Sequence, residues 1–585
     1  MTEDFATLRA QSRPLARLAA ALVLGGVFAP TQVRADVVLV GLDEAPRANV
    51  LAYLDFDDEP CDAPAWRVEQ QFQAAPARIS AALEAFGYYE PRITPMLERD
   101  AACWHATFTV QPGEPVVVRN LDVTLDGEAA GDATFALARG ESPLRIGGPL
   151  HHGDYETLKR RWSDLALERG YADAKFAESR IDVYPEQRVA DIVLHFDSGK
   201  RYRFGEVTFQ QNVLSDGLVR SYLPFHPGDL YDARELTNLY VALANSGYFR
   251  NIEVRPGQSR DTGEIPIEIT LTPAARRLIS YGVGYSTDTG PRIRFGRNNR
   301  LFNDRGHQFG VNAQLSRVES EVTANYRFPY GDPRTEWIGF DAGIKSENTD
   351  SAESDSLEVG ARRVRVRPGD WTRTQLLSFI IEDFQVADQI GRAQLLMPGI
   401  NWTRTIADSS TRPSRGTKLD LQTRGATDAI VSNTTFVQAL ARAKWIWSPT
   451  SKSRILVRAD VGATHERAFD ELPPSVRFFA GGDNSVRGYD FEALGPKNSK
   501  GDVVGGSSLA VGSVEYEHMV RARWSVAVFV DSGNAFEGAD IDAKTGAGLG
   551  ARWQSPLGPI RVDLAHPFDD ETTSWRLHIS LGPDL

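Results

Sequence analysis

Arg487 lies in a glycine-rich stretch, Arg477 to Pro496 (RFFAGGDNSVRGYDFEALGP), as the second residue of Val486-Arg487-Gly488-Tyr489. A guanidinium on a loop that folds into a confined interior needs carboxylate partners, because an unpaired buried charge is costly. Downstream alternation supplies candidates. In SVEYEH, Val514 and Tyr516 flank Glu515, and in VFVDSG, Val528 and Val530 alternate with Asp531, so both acids fall on the face opposite the apolar residues. This chemistry is ion pairing and positioning rather than catalysis. No HExxH, strand-turn-helix GxSxG or P-loop occurs, and His151-His152 and His465-Glu466 lack metal-site spacing. The glycine-rich GVGYSTDTG, Gly282 to Gly290, falls in an alternating segment rather than before a helix, which argues against a nucleotide loop. The expectation is a protein that is not an enzyme and carries no cofactor and no metal.

The elements that position these residues change character along the chain. Arg9, Arg13 and Arg17 precede an apolar run from Leu18 to Ala29, and Val33-Arg34-Ala35 ends it with small residues where a signal peptidase reads, so residues 1–35 read as a signal peptide. The two cysteines, Cys61 and Cys103, then read as a disulfide in an oxidising compartment, with two buried thiols as the alternative.

Three amphipathic helical segments follow, each ending in Gly-Tyr: Ala77 to Tyr89, Thr157 to Tyr171 and Glu235 to Phe249. Their Gly87-Tyr88, Gly170-Tyr171 and Gly247-Tyr248 pairs recur about every eighty residues. Glycine takes the left-handed conformation that stops a helix, and the following aromatic folds back on the last turn. Strand-like runs flank these helices, which gives three α+β repeats over 36–112, 113–198 and 199–273.

From about Leu278 period-two alternation takes over, as in Ile279, Tyr281, Val283 and Tyr285 against Ser280, Gly282, Gly284 and Ser286. Residues 274–585 hold about sixteen strands of roughly ten residues with turns. An exported chain with so many half-apolar strands satisfies its backbone in lipid only as a closed antiparallel barrel. Trp337, Trp371, Trp402, Trp445, Trp447 and Trp553, near the ends of runs, are candidates for an interfacial girdle. The formal charge of −13 argues against nucleic acid as a partner.

The VRGY segment, followed in order by AVGSVEYEH, VFVDSGNAF and GAGLGARWQSPLGPIRVDLAHPF, strongly resembles the BamA and TamA superfamily of outer-membrane assembly proteins, and the three repeats resemble its POTRA domains. The resemblance places Arg487 between Glu515 and Asp531 in the barrel lumen, with Gly488 allowing close backbone passage and Tyr489 packing on the inner wall. It also implies a lateral gate between first and last strands, for which Tyr281, Gly282, Gly284, His578, Gly582 and Pro583 are candidates. Proline gives the ladder no proton and glycine lets a strand turn, so that joint pairs only in part. Three repeats rather than five point to the TamA branch. That branch implies a TamB-like inner-membrane-anchored partner, autotransporter-type outer-membrane protein clients, and contact with membrane lipid, with a possible part in phospholipid transport. The competing readings are a two-partner secretion pore and a passive porin-like channel.

Overall fold

The computed structural model describes residues 35–54, 59–99, 103–257, 262–538, 540–555, 558–570 and 574–581. Residues 1–34 of the signal segment, Gly582 and Pro583 lie outside the described residues. The chain divides into two compact units, the first carrying two repeats and the second carrying the third repeat and the barrel.

Each repeat is built as strand, two helices, strand, strand. The first has β1 (Asp36–Val40), α1 (Glu44–Tyr53), α2 (Ala65–Glu84), β2 (Arg92–Arg99) and β3 (Trp104–Gln111). The second has β4 (Val117–Asp126), α3 (Ala133–Glu141), α4 (His152–Arg169), β5 (Lys175–Tyr184) and β6 (Val189–Asp197). The third has β7 (Arg203–Gln210), α5 (Asp216–Arg220), α6 (Ala233–Ser246), β8 (Phe249–Pro256) and β9 (Glu264–Pro273). In all three the last strand lies in the middle, parallel to the first and antiparallel to the second. The helices cover one sheet face: Ile79 and Leu83 pack on Phe108, Trp162 on Phe196, and Leu239 and Leu243 on Ile267 and Ile269 in the three cores. Gly87, Gly170 and Gly247 all have positive φ, and Tyr171 and Tyr248 are buried behind them, as the repeat motif requires. Cys61 and Cys103 form a disulfide in the first repeat, so the buried-thiol alternative is excluded.

The barrel sheet runs in sequence order: β10 (Arg277–Ser286), β11 (Gly290–Asn299), β12 (Gln308–Ser316), β13 (Glu319–Pro329), β14 (Glu336–Asn348), β15 (Ala352–Arg367), β16 (Trp371–Val386), β17 (Gln389–Ala407), β18 (Gly416–Ala426), β19 (Phe436–Thr450), β20 (Ser453–Glu466), β21 (Ser508–Arg521), β22 (Trp524–Phe536), β23 (Lys544–Ser555), β24 (Gly558–Pro567) and β25 (Arg576–Leu581). All neighbours are antiparallel, and the alternation seen in the sequence sorts into two faces. Tyr281 and Val283 are 79% and 81% exposed on the outside, and Ile344, Leu357 and Val359 continue that apolar wall. A wall of this extent is the mark of a lipid-facing surface. Among the described residues no helix is long and apolar enough to cross a membrane.

The third repeat seats on one end of the barrel. Tyr248 donates its hydroxyl to the Gly306 carbonyl at 2.6 Å, and Gln308 Nε2 donates to Ser246 O at 3.2 Å, across the β11–β12 turn. Counting strands from this end places Trp371, Trp402, Trp445, Trp447 and Trp553 on the outer face near the repeat-bearing rim. Trp337 is a correction. Its ladder partners Pro329 and Val364 lie on the lumen rows, and Arg327 and Arg362 stack on its ring, so it does not belong to the lipid-facing belt. One residue of phase on a strand selects the face, and nearness to a strand end does not.

Candidate functional site

The loop between β20 and β21 turns into the barrel rather than away from it. Bridges at Phe478 with Gly506 and Ala480 with Leu494 fold it on itself, and Ala480, Val486, Tyr489 and Leu494 form a small core with Val511 of β21. This core carries Arg487 to the inner wall, where the residue is 6% exposed. Arg487 Nε donates to Asp531 Oδ2 at 2.7 Å, Nη2 to Asp531 Oδ1 at 3.0 Å, and Nη1 to Glu515 Oε2 at 2.8 Å. The Arg487 backbone N–H adds a bond to Asp531 Oδ2 at 3.1 Å. The paired carboxylates expected from parity therefore do meet the loop arginine, and the planar fork engages Asp531 through two nitrogens.

Two members of the cluster were not anticipated. Asp563 of β24 accepts from Arg487 Nη1 at 3.1 Å, and Arg552 of β23 bridges Glu515 at 2.8 Å and Asp563 at 2.5 Å. The site is thus two guanidinium groups among three carboxylates, buried where the loop meets the four strands β21 to β24. The signal for both was present: Asp563 alternates with Val562 and Leu564, and Arg552 sits between Ala551 and Trp553. Phe529 lies beneath the guanidinium, 3.4 Å from its carbon to the ring centre.

Glycines make the close approach possible. Gly488 has φ +104, and a Cβ there would lie 3.1 Å from Pro567 N. On the wall, a Cβ at Gly546 would come within 1.9 Å of the Arg487 carbonyl oxygen, so β23 must be bare at that point. Tyr489 is buried on the inner wall as expected, its hydroxyl donating to Thr545 O at 3.2 Å and to Asp569 Oδ2 at 3.3 Å.

The same loop reaches the joint between first and last strands. Among the described residues β10 and β25 share no ladder, and the sheet ends at each. The backbone bond from Thr287 N to Ile579 O, 3.2 Å, crosses the gap at its loop end. β10 spans ten residues and β25 six, so much of β10 has no described partner on that side. Asp483 of the loop clasps the two sides. Its carboxylate accepts from Ser286 at 2.9 Å and Thr287 at 2.6 Å, and bonds His578 Nδ1 at 2.6 Å. Gly488 N donates to His578 Nε2 at 2.9 Å, which places the ring proton on Nδ1. Asp288, in the β10–β11 turn, accepts from Asp483 N at 2.8 Å. Burial, and then the adjacent Asp483 charge, push the Asp288 carboxyl up to about 7. Burial also opposes the charge on Asp483, but the bonds from His578, Thr287 and Ser286 outweigh it and hold that carboxyl below its ordinary value.

Of the gate candidates, His578 is buried in this clasp, while Tyr281 is on the outer wall of β10. Gly282 and Gly284 face the lumen, where the Arg294 and Arg292 stems occupy the space a side chain would take. Among the described residues, Asp288, Asp483 and His578 form the grouping whose ligand atoms lie within 4.8 Å. Both ring nitrogens of His578 are already engaged, so the grouping is a hydrogen-bonded clasp.

Comparison with known proteins agrees with this architecture. Residues 299–584 match the Omp85 superfamily domain, 36–112 match the POTRA domain described as TamA domain 1, and 202–274 match the POTRA family described as surface antigen variable number repeat. The outer membrane protein assembly factor BamA of Nitratidesulfovibrio vulgaris (Hildenborough) is 22% identical over 454 residues, covering 73% of this chain and 57% of the relative. BamA of Neisseria meningitidis serogroup B is 22% identical over 489 residues, covering 71% and 61%. The chain therefore spans about three fifths of the length of these curated relatives. The crystal structure of BamA from Haemophilus ducreyi lacking POTRA domains 1–3 superposes with a TM-score of 0.66 at 15% identity, over 80% of this chain and 99% of that one. With a sixteen-stranded barrel, an inward arginine loop and three tandem α+β repeats in place, the chain is an outer-membrane β-barrel protein with periplasmic POTRA domains, and its barrel carries the Omp85 superfamily domain over residues 299–584.

Proposed function

We propose that this protein assembles outer-membrane proteins of the autotransporter type by adding client strands at the β10–β25 joint, in the manner of TamA. The observation that carries the reading is the joint itself: among the described residues the two sheet edges share no ladder, and they are held at one end by the Thr287–Ile579 contact and by the Asp483 side chain of one loop. An open edge presents unpaired backbone groups that template an incoming strand. The buried Arg487 cluster fixes the loop, and the loop in turn sets how firmly Asp483 holds the edges together. The match of residues 36–112 to the TamA first POTRA domain supports this branch of the superfamily. On the same reading a TamB-like inner-membrane-anchored partner docks on the periplasmic repeats, whose edge strands β2, β5 and β8 offer unpaired backbone.

The direct test is Tyr285→Cys with Leu581→Cys, which places a thiol on each side of the joint two residues beyond the Thr287–Ile579 bond. Oxidation should stop insertion of a β-barrel client into liposomes, and reduction should restore it. Equal insertion by oxidised and reduced protein contradicts strand addition at this joint and favours a passive channel. Copurification of the full chain from membranes tests the partner separately.

A further inference from the structure

The lipid-facing wall carries a cationic strip that neither the loop site nor the joint explains. Arg363, Arg365 and Arg367 of β15, Arg373 of β16 and Arg404 of β17 all fall on the outward rows of their strands, at the POTRA-bearing rim. The registers set cations and indoles in a chequered pattern. One row runs Glu336, Arg365, Arg373, Trp402, and the next runs Arg367, Trp371, Arg404. Above them a third outward row holds Ile338, Arg363, Gln375 and Ile400, and beyond it the wall turns to hydrocarbon at Phe340, Leu377 and Pro398.

Charge on this face does not balance. Glu336 is the acid on these rows, and it is already shared between Arg363 and Arg365, with Arg365 Nε at 2.7 Å. Among the described residues Arg367, Arg373 and Arg404 make no ion pair, and the Nε of each is shielded without an acceptor. Indole rings hold them instead. Arg367 and Arg373 lie 5.9 and 5.8 Å from the Trp402 ring centre, and Arg404 lies 5.8 Å from that of Trp371. Arg365 and Arg373 face each other directly across the ladder, a like-charge juxtaposition that costs stability unless an anion intervenes. These arginines stand where tryptophan marks the membrane boundary, the depth at which lipid phosphodiesters sit.

We infer that the outer wall of β15–β17 is a binding strip for anionic phospholipid headgroups of the periplasmic leaflet. Phosphate oxygens accept from the free guanidinium forks while acyl chains lie along Leu377 and the rows above it. The strip lies on strands well removed in chain order from both edges of the joint, so it anchors the wall that does not open.

The test is native mass spectrometry of the full-length protein extracted from vesicles of equal phosphatidylglycerol and phosphatidylethanolamine. The wild type should retain phosphatidylglycerol at least about tenfold over phosphatidylethanolamine, and Arg367→Gln/Arg373→Gln/Arg404→Gln should bring the two lipids to about equal retention. Arg392→Gln, at the other end of β17 and paired with Asp383, should leave it unchanged. Equal retention of the two lipids, an unaltered triple variant, or the same loss in Arg392→Gln overturns the inference. If the triple variant does not fold, wild-type retention between about 0.05 and 0.5 M salt decides, since a phosphate–arginine contact weakens with salt and a purely apolar contact does not. Displacement by inorganic phosphate alone overturns the lipid assignment in favour of a free anion.

Discussion

Replacing Arg487 by methionine keeps most of the side-chain length and removes the charge. Asp531, fully buried, then loses the two hydrogen bonds and the positive charge of the guanidinium, keeping only neutral donors, the backbone N–H of residue 487 and the Ser513 hydroxyl, while Glu515 and Asp563 are left with Arg552 as their cationic partner within the cluster. Removing one partner of a buried charge pair costs about 3–5 kcal/mol, most of it the penalty on the stranded carboxylate. Because the loop core holds few apolar side chains, this loss should appear first as undocking of the loop, with a shift in the docking equilibrium on the order of 1000-fold. Limited proteolysis of loop 467–507 in the folded barrel measures it, alongside the urea midpoint of the whole protein. The double variant Arg487→Met/Asp531→Asn should be less damaging than the sum of the two single changes, since it removes the stranded charge. Protection of the loop equal to the wild type in Arg487→Met, or strict additivity in the double variant, refutes the claim that this ion cluster pins the loop.

Gly546→Ala should also free the loop, because its Cβ meets the backbone oxygen of Arg487 rather than a flexible side chain; the same proteolysis reads it, and Gly501→Ala, whose Cβ meets nothing, tests only the φ strain. The clasp should depend on pH. Opening returns Asp288 to the ordinary carboxylate range, so the closed form holds the extra proton, and closure weakens as pH rises from about 4 to about 7. Asp483 is held below its ordinary value and has the opposite sign, its contribution being lost only under about pH 4. Asp288→Asn should therefore tighten the joint at pH 8 and change little at pH 4, as read by distances between spin labels on β10 and β25. Cys61→Ser with Cys103→Ser opens a covalent loop with a sequence separation of 42, and should lower the stability of the first POTRA domain by about 4 kcal/mol on the chain-entropy model, measured by denaturant unfolding of the full chain.

Much of this was legible in the sequence because both parts of the chain write their geometry as short periods. A helix stopped by glycine and capped by tyrosine, repeated three times, fixes where each POTRA helix ends, and strict alternation assigns Val514, Tyr516, Val528 and Val530 outward and Glu515 and Asp531 inward. The same rule, applied to IRVDLAHP and GLGARWQ, would have added Asp563 and Arg552 to the cluster. Trp337 shows where the rule was not applied: proximity to a strand end suggested lipid, and the pairing phase assigns it to the lumen. What no local pattern contains is which distant strands a loop will touch. Asp483 meets Ser286 and Thr287 nearly two hundred residues earlier in the chain, and His578 on the final strand, only because sixteen strands curl until first and last come together. The alternation alone determined that a two-faced barrel forms, since side chains reverse face at every residue. The tertiary structure decided how the barrel closes and what its loop grips, since closure depends on the summed register of all fifteen pairings and on no single one of them.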